Sequence, residues 1–453
     1  MNEKLFGKKP KHYRLKKHIS QTQFIAYGFF LIIMTGSLLL MLPIASRDGQ
    51  SEPFLNCLFT AASASCVTGL VVADTWTQWS LFGQMVLLVL IQLGGLGFIS
   101  IGIFLSIVLR RKIGLKERGL MQESVNTLQI GGMVKLAKKI IIGTAIFEGT
   151  GAVILSCRFI PEYGLVRGTW YGIFHSVSAF CNAGFDLMGK SAPFSSLTDF
   201  AADPVVNVTI MALIVIGGIG FMTWDDVKTN RLHLRRYRMQ SKVVLSATAA
   251  LIILPAIYFF FLEFDGAPMR ERVWLALFQS VTPRTAGFNT ADLTALSEDG
   301  VALTILLMLV GGSPGSTAGG VKTTTMALLL ANAAAVFRRR EHAHFFGRRV
   351  DGEAVRSAAT VAVLYLLLFL GGGLVMSRVE GLPLLTCLFE TASAVGTVGL
   401  TLGITPSLGG VSRAILIGLM YVGRVGGLTL VFSALAGRQG DTARLPREKL
   451  TVG

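Results

Sequence analysis

A short string that opens on phenylalanine and closes on glycine occurs four times in this chain, each time between two long apolar runs. Phe59-Thr-Ala-Ala-Ser63-Ala-Ser-Cys-Val-Thr-Gly69 aligns with Phe174-His-Ser-Val-Ser178-Ala-Phe-Cys-Asn-Ala-Gly184 and with Phe389-Glu-Thr-Ala-Ser393-Ala-Val-Gly-Thr-Val-Gly399. Phe278-Gln-Ser-Val-Thr282-Pro-Arg-Thr-Ala-Gly287 is the same string one residue shorter. The closing glycines stand 115, 103 and 112 residues apart, and each precedes a large apolar residue, Leu70, Phe185, Phe288 or Leu400. Self-similarity at so even a period marks an internal repeat.

The solvent follows from composition. A chain of 453 residues with 52% hydrophobic and 15% charged residues and a mean hydropathy of +0.60 has too little polar surface for a water-soluble globule. Eight apolar runs approach or exceed the ~20 residues that cross a bilayer as helix. They are 24–42, 81–109, 140–156, 205–223, 243–262, 301–309 continuing through 323–337, 355–376 and 415–435.

The net charge of +16 invites a nucleic-acid reading, but its distribution argues against one. Segments 1–23, 110–139, 225–242, 338–356 and 437–453 hold 31 of the 42 Lys and Arg, and the intervening connections are mildly acidic. Basic connections stay cytoplasmic, which puts both termini and three internal loops inside and calls for eight full spans in the plasma membrane. The basic stretch before residue 24 precedes a run long enough to stay in the bilayer, so no cleavable signal is expected. Cys57, Cys66, Cys157, Cys181 and Cys387 form no metal-binding spacing and no disulfide framework. The expected parts are a basic N-terminus 1–23, repeats at 24–110, 135–225, 242–338 and 354–437, and a C-terminus 438–453.

Each Phe-to-Gly string is too short to cross the membrane as a helix and too apolar to lie in water. It is expected to dip in and return. Irregular backbone at that depth survives only where it lines a watery cavity, and four such loops around an axis would make one. The expected fold is therefore an all-α membrane protein of four tandem helix–pore-loop–helix repeats in pseudo-four-fold arrangement.

A half-helix beginning near each Phe would aim its partly negative C-terminus at the centre, favouring a cation. The glycine can then adopt angles closed to other residues, letting its neighbours present carbonyls. The candidate filter is Val67-Thr68-Gly69, Asn182-Ala183-Gly184, Thr285-Ala286-Gly287 and Thr397-Val398-Gly399. None of these is charged, and a filter of peptide oxygens without carboxylates suits a weakly hydrated monovalent cation, K+, rather than a divalent one.

The second apolar run of each repeat carries a related string: Leu93-Gly-Gly95-Leu-Gly97-Phe98, Ile216-Gly-Gly218-Ile-Gly220-Phe221, Val310-Gly-Gly312-Ser-Pro314-Gly315 and Val422-Gly-Arg424-Val-Gly426-Gly427. Close helix packing suffices for the first two. In the third, Gly311, Gly312, Ser313, Pro314, Gly315, Gly319, Gly320 and Lys322 sit within one span, which no straight helix tolerates easily. An unwound gate below the filter is expected there, with a structural kink as the alternative. Arg424 is an ionised group in an apolar run; it is assigned to the gate, with capping of neighbouring carbonyls or a pair with Glu148 left open. Arg284 should turn behind its loop, because a cation facing the axis would block it. Asp74, Asp186 and Asp292 are either a cation-gathering mouth or ordinary loop residues.

The four-fold Phe-x3-Ser/Thr cassette ending in one glycine resembles the Trk/Ktr/HKT superfamily of potassium transporters over essentially the whole chain. Within it the likeness is to the membrane subunit of Ktr systems, since Trk-type subunits carry an extra pair of spans before the first repeat. The resemblance implies K+ as cargo, sodium as an activating ion or symported partner, a homodimer, and a cytoplasmic nucleotide-binding regulatory ring docked on loops 110–139, 225–242 and 338–356. No strand-GxGxxG-helix unit occurs in this chain, so no organic cofactor is expected on it. Proton-coupled Trk-type transport and a less selective K+/Na+ channel are the alternatives. A solute transporter with two repeats and a membrane enzyme fit less well, because the charge pattern implies four like-oriented units and His175 is the only histidine near a span.

Overall fold

The computed structural model describes residues 21–97, 133–231 and 233–427. The basic N-terminus up to residue 20, the far part of the 81–109 run, most of loop 110–139, the end of the 415–435 run and the C-terminal segment 438–453 lie outside the described residues.

Four helices are long and apolar enough to cross a membrane among the described residues, at Gln23–Leu40, Val134–Tyr163, Met239–Glu263 and Gly352–Glu380. They belong to α1 (Gln21–Leu40), α4 (Met133–Tyr163), α8 (Met239–Tyr258) and α12 (Gly352–Glu380), α8 being extended by the turn Phe259–Glu263. Leu31, Val153, Leu254 and Leu367 stand exposed on these helices, as side chains facing lipid do.

A shorter helix follows each long one: α2 (Phe54–Ser65), α5 (Leu165–Phe180), α9 (Met269–Val281) and α13 (Leu384–Gly396). Pro53, Pro268 and Pro383 stand at the N-caps of three of them and Gly164 at the fourth. Proline cannot continue the preceding chain as helix but sets a backbone ready to start one. Their C-terminal halves are buried almost completely, with Phe59, Phe174, Phe278 and Phe389 wholly enclosed.

The third element of each group is where the eight-run expectation is refined. Instead of four further unbroken helices, the described residues give α3 (Leu81–Leu96), a bent pair α6 (Pro204–Gly218) and α7 (Phe221–Asn230), an interrupted pair α10 (Glu298–Met308) and α11 (Thr323–Phe337), and α14 (Gly410–Val425). The bend between α6 and α7 is 99°. Starts are well signalled here: Ser80 accepts from Gly83 N, Asp203 from Val205 N and Val206 N ahead of Pro204, and Ser297 from Gly300 N. The breaks are glycine breaks, because glycine costs a helix about 1 kcal/mol per residue and leaves backbone free to turn.

Packing closes these groups on themselves. Each short helix packs on the long helix before it, and α3, α6, α10 and α14 each pack on the short helix of the next group, α5, α9, α13 and finally α2. The chain thus returns to its own beginning.

Candidate functional site

The four Phe-to-Gly strings end in one recurring turn. In the first, Val67 N donates to Ala64 O at 3.1 Å and Thr68 N to Ser63 O at 2.8 Å. In the second, Asn182 N donates to Ala179 O and Ala183 N to Ser178 O; in the fourth, Thr397 N to Ala394 O and Val398 N to Ser393 O. This paired pattern is a Schellman helix ending, with its left-handed residue two before the glycine. The third string is one residue shorter and makes the simpler closure, Ala286 N to Thr282 O at 2.9 Å. The Ser or Thr shared by the four strings is thus the residue whose carbonyl closes the turn.

Two residues per turn have positive φ: Val67 and Gly69 (51° and 94°), Asn182 and Gly184 (57° and 70°), Thr285 and Gly287 (71° and 81°), Thr397 and Gly399 (52° and 96°). For glycine this is free. For β-branched Val67, Thr285 and Thr397 it costs of order 1–2 kcal/mol each, a strain the surrounding packing must hold.

The four turns meet. A β-carbon on Gly69 would touch Ala183 O at 2.6 Å and Gly184 Cα at 3.1 Å; on Gly184, Ala286 O at 2.7 Å and Gly287 Cα at 2.9 Å. On Gly287 it would meet Val398 O, with Gly399 Cα at 3.3 Å, and on Gly399 it would meet Thr68 O, with Gly69 Cα at 2.9 Å. The contacts run in chain order and close, and a side chain at any of the four would have to displace backbone. Thr68 Oγ1, Thr285 Oγ1, Thr397 Oγ1 and Asn182 Oδ1 are buried without a protein hydrogen-bond partner among the described residues. Neutral peptide oxygens gathered at such a meeting of turns can replace the hydration shell of a monovalent cation.

Side chains behind the ring brace it. Ser63 Oγ accepts from Gly69 N at 3.1 Å and Ser393 Oγ from Gly399 N at 3.0 Å. His175 accepts at Nε2 from Leu187 N at 3.3 Å while its Nδ1 lies 2.7 Å from Tyr171 O. Glu390, fully buried, accepts from Thr405 Oγ1 at 2.8 Å and also from Thr401 Oγ1. Both residues follow the opening Phe of their strings and tie the helix to the segment leaving the glycine. Sequence reasoning passed over Glu390, although that position is polar in every copy: Thr60, His175, Gln279, Glu390.

Beneath the ring, residues 309–322 separate α10 from α11 and are pinned on several sides. Ser313 N donates to Gly218 O at 2.9 Å, Thr317 N to Gly217 O at 3.2 Å, Gly320 N to Gly423 O at 3.1 Å, and Phe221 N to Gly315 O at 2.7 Å. Asn182 Nδ2 donates to Thr317 Oγ1 at 2.8 Å, and Gly319 sits against Thr397. Gly311, Gly312, Ser313, Pro314, Gly315, Gly319 and Gly320 therefore lie between the second and fourth groups. Lys322 turns back on its own segment, donating to Ala318 O at 2.8 Å and Gly319 O at 3.3 Å.

Arg424 reaches the same segment from α14. Its guanidinium donates to Gly95 O at 2.9 Å and to Gly94 O and Thr317 O. Of the open alternatives, it caps carbonyls; Glu148 instead accepts from Gln92 Nε2 at 3.1 Å. Arg284 is buried away from the ring, donating to Thr248 Oγ1 at 3.0 Å on α8. Cys66 and Cys181 are buried fillers, Cys181 filling the space left by Gly95. Asp74, Asp186 and Asp292 each accept backbone amides, from Thr77 and Phe194, Met188 and Thr294.

The chain is similar to known cation transport proteins. The model of the family described as TrkH, cation transport protein, matches residues 2–440. The potassium/sodium uptake protein NtpJ of Enterococcus hirae is 41% identical over 97% of this chain and 99% of its own. The Ktr system potassium uptake protein B of Bacillus subtilis is 39% identical over 95% of this chain and 96% of its own. The crystal structure of the potassium transporter TrkH from Vibrio parahaemolyticus superposes with a TM-score of 0.73 at 19% identity, covering 93% of this chain and 86% of that one. That likeness is one of fold.

Proposed function

This chain belongs to the TrkH family of cation transport proteins, and from that membership we propose that it takes up K+ through a filter formed by its four glycine turns. The ring contact of Gly69, Gly184, Gly287 and Gly399 carries the proposal. An ion entering it would exchange water for the carbonyl oxygens of Thr68, Ala183, Ala286 and Val398, with the four short helices directing their C-termini inward. The parts follow as four repeats at 24–110, 135–225, 242–338 and 354–437, eight spans, and both termini cytoplasmic.

Segment 311–320 is the gate in this proposal, because it lies under two of the turns and is held by exchangeable bonds, backbone ones to glycine breaks and side-chain ones through Asn182, Thr317 and Arg424. Arg424 places a positive charge at the same level and would raise the barrier to cations while holding the segment closed. Lys322 steadies the gate's lower end.

The uptake names of the relatives support K+ as cargo, and the words Ktr system support a chain that works as one part of a system, the other part being, in this proposal, a cytoplasmic regulatory ring. Homodimer formation and sodium activation rest on the same likeness. A second reading is favoured by the name of the Enterococcus relative, a potassium/sodium uptake protein: sodium is then carried as well as sensed. Expression in a cell lacking its own potassium uptake, with and without sodium, tests both. Growth rescue at low potassium is expected. No rescue by correctly inserted protein overturns potassium uptake, and sodium accumulation equal to that of potassium favours the second reading.

A further inference from the structure

The 99° bend between α6 and α7 opens a wedge against the first turns of α4, and it forms a groove of about 600 Å³. The body of the groove is apolar, walled by Ile140, Ile146 and Phe147 on one side and Ile216, Phe221 and Trp224 on the other. Its rim carries Lys135, Lys138, Lys139 and Lys228 against one carboxylate, Asp225. Asp225 is already engaged by Lys139 at 2.6 Å and by Arg238 at 3.7 Å. Lys135, Lys138 and Lys228 are exposed and leave the rim positive.

We infer that this groove binds an anionic phospholipid, with acyl chain in the trough between Ile140 and Trp224 and headgroup phosphate among the rim lysines. The trough lies on a helix that crosses the membrane, and Ile142 and Ile146 face outward beside it, so a bilayer component reaches it without leaving lipid. Charge then chooses among bilayer components. A zwitterionic headgroup would set its own cation beside three lysines, whereas an anionic one neutralises them, and basic clusters at the edge of a span recruit such lipids. The occupant is therefore a lipid and not a soluble anion, for which the apolar trough would have no use.

The site is also placed to act. Trp224, its back wall, is fixed by donating Nε1 to Ile216 O at 2.9 Å. The two helices of the bend hold segment 311–320 through Ser313 N to Gly218 O and Phe221 N to Gly315 O. A lipid wedged in the bend stabilises one bend angle and with it one position of that segment. This second step rests on the proposed gate, whereas the binding step does not.

Two readouts separate the steps. Native mass spectrometry on protein extracted from phosphatidylglycerol-containing bilayers should show retained phosphatidylglycerol, falling about tenfold in K135A/K138A/K228A and surviving in K135R/K138R/K228R. Equal retention by the alanine and wild-type proteins overturns the site whatever the flux. Ile146→p-benzoylphenylalanine should label lipid on illumination; label found instead in residues 98–132 or in a cytoplasmic partner subunit overturns it as well. Rubidium flux in vesicles should be greater in phosphatidylglycerol than in pure phosphatidylcholine for wild type and equal in both for K135A/K138A/K228A. Lipid retained by the lysines with no such flux difference removes the coupling and leaves the binding site standing.

Discussion

The side-chain amide of Asn182 donates to Thr317 Oγ1 across 2.8 Å, joining the second glycine turn to the interrupted segment beneath it. Thr317 hands the link on, donating to Phe180 O at 3.0 Å on the short helix of the same group. The second turn and the interrupted segment are thereby one hydrogen-bonded unit. Thr317→Val keeps the shape and removes the hydroxyl. Both bonds are lost, and flux in the absence of regulatory subunits should rise at least about fivefold, the equivalent of one hydrogen bond of about 1 kcal/mol. Reduced flux from correctly assembled protein would contradict a gating role for this contact.

Glu390 braces the fourth turn from behind through Thr401 and Thr405. Glu390→Ala strands two hydroxyls in a buried site, at a cost of about 1–3 kcal/mol each. The expected result is a lower unfolding temperature together with a lower K+ to Na+ permeability ratio, whereas Glu390→Gln, which keeps an acceptor oxygen, should preserve most of both. A wild-type ratio in the alanine variant would mean that the brace serves stability alone.

Arg424 holds three carbonyls, two at the end of α3 and one in the interrupted segment. Arg424→Ala should increase basal flux several-fold while lowering thermal stability, since the three carbonyls lose charge-assisted donors worth roughly 1.5–3 kcal/mol apiece. Arg424→Lys should recover the charge but not the forked contact, giving intermediate flux. If the alanine variant conducts less than wild type, the residue assists the ion and does not obstruct it.

Gly399 has φ of 96°, and any β-carbon there would press on Gly69 Cα and Thr68 O. Gly399→Ser should therefore widen or distort the ring and cut the K+ to Na+ permeability ratio about tenfold, measured by bi-ionic potentials in planar bilayers, with Gly69→Ser similar. Serine at Gly266, where a β-carbon meets nothing within 4 Å, is the neutral control.

The repeat itself was legible because Phe and Gly do the same work in every copy: Phe59, Phe174, Phe278 and Phe389 fill enclosed sites, and the glycines face one another. The left-handed residues at Val67, Thr285 and Thr397 were not, since β-branched side chains are those least expected at positive φ. Their conformation is imposed by the helix ending and its packing, not by local preference. Glu390 escaped because it differs from its counterparts in charge, and only the polarity shared by Thr60, His175, Gln279 and Glu390 pointed to a common brace. Hydropathy also smoothed over the breaks. The run 205–223 reads as one span, yet Gly218 and Gly220 turn it through 99° and give their neighbourhood to the interrupted segment. Arg424 was legible as costly and buried, but its partners come from two distant stretches of chain and no spacing could name them.

Thallium, a potassium mimic with strong anomalous scattering, can be located by diffraction from crystals of the protein. A peak on the common axis, ringed by the carbonyl oxygens of Thr68, Ala183, Ala286 and Val398, is the expected result. Thallium found elsewhere, with the four glycines packed against each other and no ion between them, would contradict the filter and the gate beneath it.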